Sequence, residues 1–145
     1  MVDSELIVVT GSTGYVGGRL VPRLLETGKR VRCVTRSLEA LQDRSWAQDV
    51  EIVVANLDKK NEVKNALAGA DRAFYLVHSM SATRDFASAE QKMAENFIEA
   101  ADLANLKQII YLGGLGVENT EKSLHLQSRQ KVGQILADGS TPVTE

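Results

Sequence analysis

The chain has 145 residues, of which 43% are hydrophobic, so it can bury one core and is too short for two ordinary domains. Its formal net charge is -2 and its basic residues are scattered, which argues against binding to nucleic acid or to an anionic membrane. No apolar segment approaches the roughly 20 residues that span a bilayer, and the N-terminus carries acidic residues where a signal peptide carries basic ones. These features predict a single domain, residues 1–145, of a cytoplasmic protein.

Short segments rich in β-branched and aromatic residues predict β-strands along the whole chain. They are LIVVT (6–10), RVRCVT (30–35), VEIVVA (50–55), RAFYLV (72–77) and QIIYLG (108–113). The segments between them carry apolar residues three and four positions apart, which predicts helices. Strands that alternate with helices predict an α/β fold, a doubly wound parallel sheet of about five to six strands with helices on both faces. The final STPVTE is typical of the start of a sixth strand, so we expect the natural protein to be longer.

The first strand leads into a glycine-rich turn and then into an amphipathic helix. The spacing Gly11-x-x-Gly14-x-x-Gly17 in this context is typical of a Rossmann βαβ unit, which binds the pyrophosphate of a dinucleotide at the helix N-terminus. We expect Gly11 to let the chain leave the strand, Gly14 to let the backbone approach the pyrophosphate, and Gly17 to let the helix lie close to the sheet. The hydroxyl groups of Ser12 and Thr13 would add hydrogen-bond donors. The alternative is a glycine turn that only packs tightly.

The turn and the start of the helix are predicted to bind the cofactor together. Residues 12–16, which include Tyr15 and Val16, would bind the pyrophosphate. Pro22 lies inside the helix, where its ring crowds the carbonyl of Gly18, and the absence of a side chain at Gly18 would tolerate the resulting bend. Gly18 is therefore predicted to be structural.

Three glycines follow helical segments at positions where a left-handed residue commonly ends a helix. They are Gly28, Gly69 and Gly139. In the second strand, Cys33 lies in the apolar stretch VRCV and is the single cysteine, so we expect a small buried residue rather than a reactive thiol.

The end of the second strand favours NADP(H) over NAD(H). NAD-binding units usually carry Asp or Glu there, to bind the ribose 2′-hydroxyl, whereas this chain has Thr35-Arg36-Ser37. The guanidinium of Arg36 and the hydroxyl of Ser37 would bind a 2′-phosphate that a carboxylate would repel. The alternative is that Arg36 is a solvated residue at the strand end, which leaves NAD as the second choice of cofactor.

These motifs resemble the atypical, extended-like short-chain dehydrogenase/reductases, the NAD(P)-binding epimerase/dehydratase-like group with its NmrA-like members. The resemblance covers essentially the whole chain. It rests on the glycine motif, on VTRS (34–37), on ANLD (55–58), on YLVHSM (75–80) and on YLGGLG (111–116). It implies that Asn56 and Leu57 border the adenine, where the family more often has Asp for Asn56, and that Val77 and His78 run beside the ribose and phosphates. A hydrogen-bonded loop histidine is the alternative role for His78.

The usual catalytic residues of that family are missing. Active members use a tyrosine with a lysine four residues later, and a serine after the fifth strand. The segment HLQSRQKVGQIL resembles the catalytic helix, with His125 at the tyrosine position and Arg129 at the lysine position, and glycines stand in LGGLG where the serine would be. One interpretation is that His125 and Arg129 form a substitute proton-transfer pair, in which Arg129 binds the nicotinamide ribose. The alternative is that both residues belong to an exposed polar face of the helix. No cluster has metal-ligand spacing, so no metal site is expected.

Two functions follow from this resemblance. The first is an NAD(P)-binding, oxidoreductase-type domain that acts on a small organic substrate through residues beyond Glu145. The second is a redox sensor or assembly subunit that binds NAD(P)(H) without turnover.

Overall fold

The computed structural model describes residues 4–77, 85–113 and 124–145. In this part of the chain six strands form one sheet in the order β3-β2-β1-β4-β5-β6, and every neighbouring pair is parallel. The strands are β1 (Leu6–Thr10), β2 (Arg30–Thr35), β3 (Glu51–Val54), β4 (Arg72–Tyr75), β5 (Gln108–Tyr111) and β6 (Val143–Thr144). The predicted parallel α/β sheet is confirmed, including a sixth strand within STPVTE.

Helices cover both faces of this sheet. They are α1 (Tyr15–Glu26), α2 (Glu39–Gln42), α3 (Lys60–Leu67), α4 (Phe86–Leu103) and α5 (Leu124–Ala137), with a 3-10 turn at Ala47–Asp49. Alternate residues of β1 belong to two separate cores, since Val8 packs with residues of α3, α4 and α5, whereas Val9 packs with residues of α1 and α2. Alternation of this kind places helices on both sides of a doubly wound sheet. Within the described residues, no helix combines the length and the apolar composition needed to cross a bilayer.

The first two strands have the predicted bounds, whereas β3, β4 and β5 are shorter than predicted. Their apolar residues continue past the last ladder hydrogen bonds into loops at the carboxyl edge of the sheet. Leu76, for example, follows β4 and donates its N–H to the hydroxyl of Thr10 at 3.2 Å, and that hydroxyl donates to the carbonyl of Phe74 at 3.1 Å. Thr10 therefore joins the carboxyl ends of β1 and β4, the point where the strand order reverses and where a ligand crevice opens in such sheets.

Two of the three predicted helix-ending glycines have the left-handed conformation. The φ angles of Gly28 and Gly69 are 83° and 76°. The prediction for Gly139 is wrong, because this residue is absent from the positive-φ residues of the described chain. A Cβ atom at Gly139 would lie 2.2 Å from Cγ1 of Ile98, so this glycine allows the end of α5 to pack closely against α4.

The prediction for Cys33 is confirmed. The residue is fully buried in the core beneath α1 and forms no disulfide. Burial raises the pKa of its thiol to about 11, against an opposite effect of the neighbouring Ser12 hydroxyl. Cys33 is therefore a protonated core residue at neutral pH.

Candidate functional site

The glycine turn leaves β1 at the place where the sheet order reverses. Gly11 has a φ of +71°, and a Cβ atom there would lie 2.9 Å from the carbonyl oxygen of Leu76. Gly14 donates its N–H to the carbonyl of Gly11 at 3.1 Å and becomes the N-cap of α1. Only a glycine meets both demands at position 11, the left-handed backbone and the close approach to Leu76. The expectation that Gly11 lets the chain leave the strand is confirmed.

Gly17 closes the turn from the side of the helix. A Cβ atom at Gly17 would lie 2.2 Å from the carbonyl oxygen of Gly11 and 2.8 Å from Cα of Ser12. We expected close contact with the sheet, and the structure shows close contact with the turn itself. Gly11 and Ser12 directly follow the last residue of β1, so the first turn of α1 packs on the chain where it leaves the sheet.

The N-terminus of α1 has the properties of an anion-binding site. Gly14 provides no capping side chain, and the first turn has no acidic residue. The first N–H groups of a helix lack intrahelical partners and carry a partial positive charge, which favours phosphate. A Cβ atom at Gly14 would have one neighbour within 4 Å among the described residues, the carbonyl of Gly11 at 3.3 Å. The backbone at Gly14 is therefore open to a ligand, and the turn fits the pyrophosphate of a dinucleotide.

The two hydroxyl groups of the turn lie in different environments. Ser12 is 1% exposed, and its Oγ has no hydrogen-bond partner among the described residues. The Cys33 thiol is a polar neighbour, and its pKa is lowered by the Ser12 hydroxyl. Thr13 is exposed. The hydroxyl on the open side of the turn is therefore that of Thr13.

Two residues of the first helical turn also lie at the surface. Tyr15 is 74% exposed and Val16 is 46% exposed. The guanidinium of Arg19 lies 3.6 Å from the centre of the Tyr15 ring and donates to the Tyr15 carbonyl at 3.2 Å. This contact adds positive charge close to the N-terminus of α1.

Arg44 is a candidate that sequence reasoning missed. Its Nη2 donates to the carbonyl of Thr13 at 3.0 Å, and its Nη1 would lie 3.1 Å from a Cβ atom at Gly18. The missing side chain of Gly18 therefore makes room for Arg44. As predicted, Pro22 lies inside α1. No local motif marks Arg44, because the contact joins residues far apart in the sequence.

Arg36 and Ser37 follow β2 at the same edge of the sheet. Both are exposed, and the Arg36 guanidinium has no hydrogen bond or ion pair among the described residues. The Thr35 hydroxyl accepts from the Ser37 N–H at 3.2 Å and donates to the Ser37 carbonyl at 3.0 Å. Thr35 thus fixes the backbone of Ser37, while the guanidinium of Arg36 stays available to an anion.

The loop after β3 is held by side chains. Asn56 receives the Asp58 N–H on its Oδ1 at 3.0 Å, and its own N–H donates to Glu62 at 3.2 Å. The Leu57 carbonyl accepts from Nδ2 of Asn96 at 2.9 Å. After β4, Val77 is half-buried against the larger core. His78 lies outside the described residues.

The region expected to carry catalysis contains one buried and one partly buried hydrogen bond. Ser128 donates its hydroxyl to Glu90 at 2.5 Å, and Tyr111 donates its phenol to the Arg129 carbonyl at 2.8 Å. Burial raises the pKa of Tyr111 to about 12, and the nearby Glu145 and Glu90 carboxylates add to the shift. Both hydroxyl groups are therefore engaged in holding α5.

The remaining catalytic candidates are only partly described. Arg129 is half-buried in α5. His125 belongs to the same helix, but its side chain lies outside the described part of the structure, as do the glycines at 114 and 116. Gly113 is described, and a Cβ atom there would lie 2.1 Å from Oε1 of Glu145. A carboxylate therefore fills the space beside Gly113, close to where the resembling family has its serine.

Comparison with known proteins agrees with this geometry. The family model described as NAD(P)H-binding matches residues 11–141. The (4-alkanoyl-5-oxo-2,5-dihydrofuran-3-yl)methyl phosphate reductase of Streptomyces griseus is 28% identical over 140 residues, which cover 96% of this chain and 45% of the relative.

Solved structures share the fold. Triphenylmethane reductase of Citrobacter sp. in complex with NADP(H) has 21% identity and a TM-score of 0.78, covering 94% of this chain and 47% of that one. The NADPH complex of an NADPH-dependent quinone oxidoreductase of Escherichia coli has 23% identity and a TM-score of 0.78, covering 94% and 46%. The chain thus spans less than half the length of each of these proteins. Because the family model extends from the glycine turn to the residues before β6, the chain belongs to the NAD(P)H-binding family, and it shares the fold of these solved structures.

Proposed function

We propose that residues 1–145 form the cofactor-binding domain of an NADP(H)-dependent reductase that acts on a small organic substrate. One observation carries this proposal: an uncapped helix N-terminus behind the Gly11–Gly14 turn is accompanied by the exposed guanidinium of Arg36 and by Arg44. Two findings support it. The relative from Streptomyces griseus is a reductase, and two of the similar structures hold NADP(H) or NADPH. A cytoplasmic location is part of the same proposal.

The phosphates would be bound by backbone and cationic groups. Backbone N–H groups of residues 12–16 would bind the pyrophosphate, together with the Thr13 hydroxyl. Arg36, Ser37 and Arg44 would bind the 2′-phosphate, because guanidinium groups make charge-assisted, often bidentate hydrogen bonds to phosphate. When bound, the cofactor would supply a hydride.

The remaining parts of the cofactor would meet less polar residues. Asn56 and Leu57 would border the adenine, and Val77 and His78 would run beside the ribose and phosphates. On α5, Arg129 would bind the nicotinamide ribose, and His125 would exchange a proton with the substrate, since an imidazole titrates near neutral pH. The substrate itself would be bound by residues beyond position 145.

Charge reversal at residue 36 tests the choice of cofactor. We expect Arg36→Glu to weaken NADPH binding by about tenfold to a hundredfold, because a carboxylate replaces a charged hydrogen-bond donor to phosphate. NADH binding should change far less, since NADH has no 2′-phosphate. Arg23→Glu, on the exposed side of α1, is the matched control for the change in net charge. Equal losses of affinity for NADPH and NADH would contradict the role of Arg36.

A non-catalytic redox sensor or assembly subunit is the second candidate. It is favoured by the hydrogen bonds of Ser128 and Tyr111, in which both hydroxyl groups already donate to acceptors of the protein itself. This candidate predicts NADPH binding without NADPH consumption. Consumption that is abolished by His125→Ala would rule it out and support the reductase.

A further inference from the structure

Asn96 is a buried amide on the core side of α4. It is 7% exposed, and the residues around it in the helix that face the core are apolar, among them Ala94, Phe97 and Ile98. Burying an amide is costly unless it is hydrogen-bonded. Its Nδ2 donates to the carbonyl of Leu57 at 2.9 Å. The bond therefore links α4 to the loop that follows β3.

That loop has no strand partner past its first residue, so local contacts set its shape. The Ala55 N–H donates to the Thr35 carbonyl on β2, and the Asn56 N–H donates to the Glu62 carboxylate. The N–H groups of Asp58 and Lys59 donate to the side chain and to the carbonyl of Asn56, respectively. Among the backbone N–H groups of residues 55–59, that of Leu57 has no partner in the described part of the chain.

The peptide between Leu57 and Asp58 is oriented from both sides. Its carbonyl accepts from Asn96, and its N–H donates to the Asn56 side chain. The preceding peptide is oriented by the Asn56 carbonyl, which accepts from Lys59 at 2.9 Å. Among these hydrogen bonds, that of Asn96 comes from α4, which is distant in the sequence. It therefore fixes the position of the loop relative to α4 and the sheet, whereas the local bonds fix only the shape of the loop.

We infer that Asn96 is a positioning residue, which holds the loop at Asn56 and Leu57 in the place where it receives the adenosine end of the cofactor. This inference rests on the proposed function. In this role Asn96 would act through its hydrogen bond to the Leu57 carbonyl and not by contact with the cofactor. Loss of the amide donor would free the loop and leave a buried carbonyl without its partner.

The first test replaces the amide with a side chain of similar size. We expect Asn96→Leu in the intact protein to weaken binding of adenosine 2′,5′-bisphosphate by about fivefold. Asp102→Ala is the matched control, because Asp102 lies on the same helix and also receives hydrogen bonds from a distant segment. The control should lose thermal stability but retain the affinity. Calorimetric titration and thermal unfolding measure the two quantities separately.

The second test separates positioning from bulk stability by restoring the donor. Asn96→Asp keeps the size of the side chain but offers no donor while it is ionised, and burial should raise its pKa. At low pH the protonated carboxyl can donate to the Leu57 carbonyl again. The affinity of this variant, relative to wild type at the same pH, should therefore recover as the pH falls. This variant also carries the test if Asn96→Leu does not fold.

The outcomes distinguish the two proposals. A wild-type protein that binds neither NADPH nor adenosine 2′,5′-bisphosphate overturns the proposed function. If wild type binds the nucleotide, the positioning role is overturned by unchanged affinity in Asn96→Leu, by an equal loss in Asp102→Ala, or by the absence of recovery in Asn96→Asp. A selective loss with recovery in acid supports it.

Discussion

Glycine is required in this chain for two different reasons, close approach of other atoms at some positions and a left-handed backbone at others. A side chain at Gly17 would collide with backbone atoms of Gly11 and Ser12, which cannot move without opening the turn. Gly28 and Gly69 instead have nothing within 4 Å of an added Cβ atom, and their positive φ angles are the reason for glycine. Gly17 therefore affects the site, whereas Gly28 and Gly69 affect only the ends of helices.

We expect Gly17→Ala to lower the free energy of unfolding by about 1–3 kcal/mol, as overpacking commonly does. It should also weaken NADPH binding, because α1 must move away from the turn. Gly28→Ala is the control: backbone strain should cost about 1–2 kcal/mol, and NADPH affinity should stay unchanged. Chemical unfolding and nicotinamide fluorescence measure both effects. An unaltered NADPH affinity in Gly17→Ala would show that the close contact is irrelevant to the site.

At the scale of elements, α4 determines where β6 begins. Asp102 accepts the N–H groups of Ser140 at 3.1 Å and Thr141 at 2.9 Å, and the Thr141 hydroxyl at 2.7 Å. Gly139 packs against Ile98 on the same helix. β6 has two residues in the sheet, and this turn adds to the pairing that holds β6 beside β5.

This arrangement predicts a pH dependence. Burial raises the pKa of Asp102, but the hydrogen bonds from Thr141 and Ser140 outweigh burial and hold that pKa below its ordinary value of 3.8. The ionised carboxylate therefore stabilises the folded state above 3.8, and this contribution is lost as the pH falls through the lower folded value. We expect Asp102→Asn to be less stable than wild type at neutral pH and the difference to shrink in acid. Urea unfolding at both pH values measures it, and a difference that does not change with pH would contradict the assignment.

At the scale of the whole molecule, local patterns predicted the sheet and the glycine turn. β1 and β2 were predicted with their observed bounds because their apolar residues are framed by charged and turn-forming ones. The two-sided burial of β1 follows from its continuous apolar sequence. The later strands end earlier than predicted because apolar residues such as Val77 continue to be buried after the ladder stops.

Features that depend on distant contacts could not be predicted in this way. Arg44 reaches the turn at Thr13, and Asn96 reaches the loop at Leu57. Gly139 resembles a helix-ending glycine in sequence, yet its role is set by the side chain of Ile98. In each case the partner is fixed by the packing of helices on the sheet, which a single sequence does not display.

We propose that the glycine turn and Arg36 together form one NADP(H) site. Titration of the purified protein with NADPH and, separately, with NADH, followed by nicotinamide fluorescence, tests this directly. We predict that NADPH binds more tightly than NADH, because only NADPH presents a 2′-phosphate to the guanidinium groups. Binding of neither nucleotide, or tighter binding of NADH, would contradict the claim.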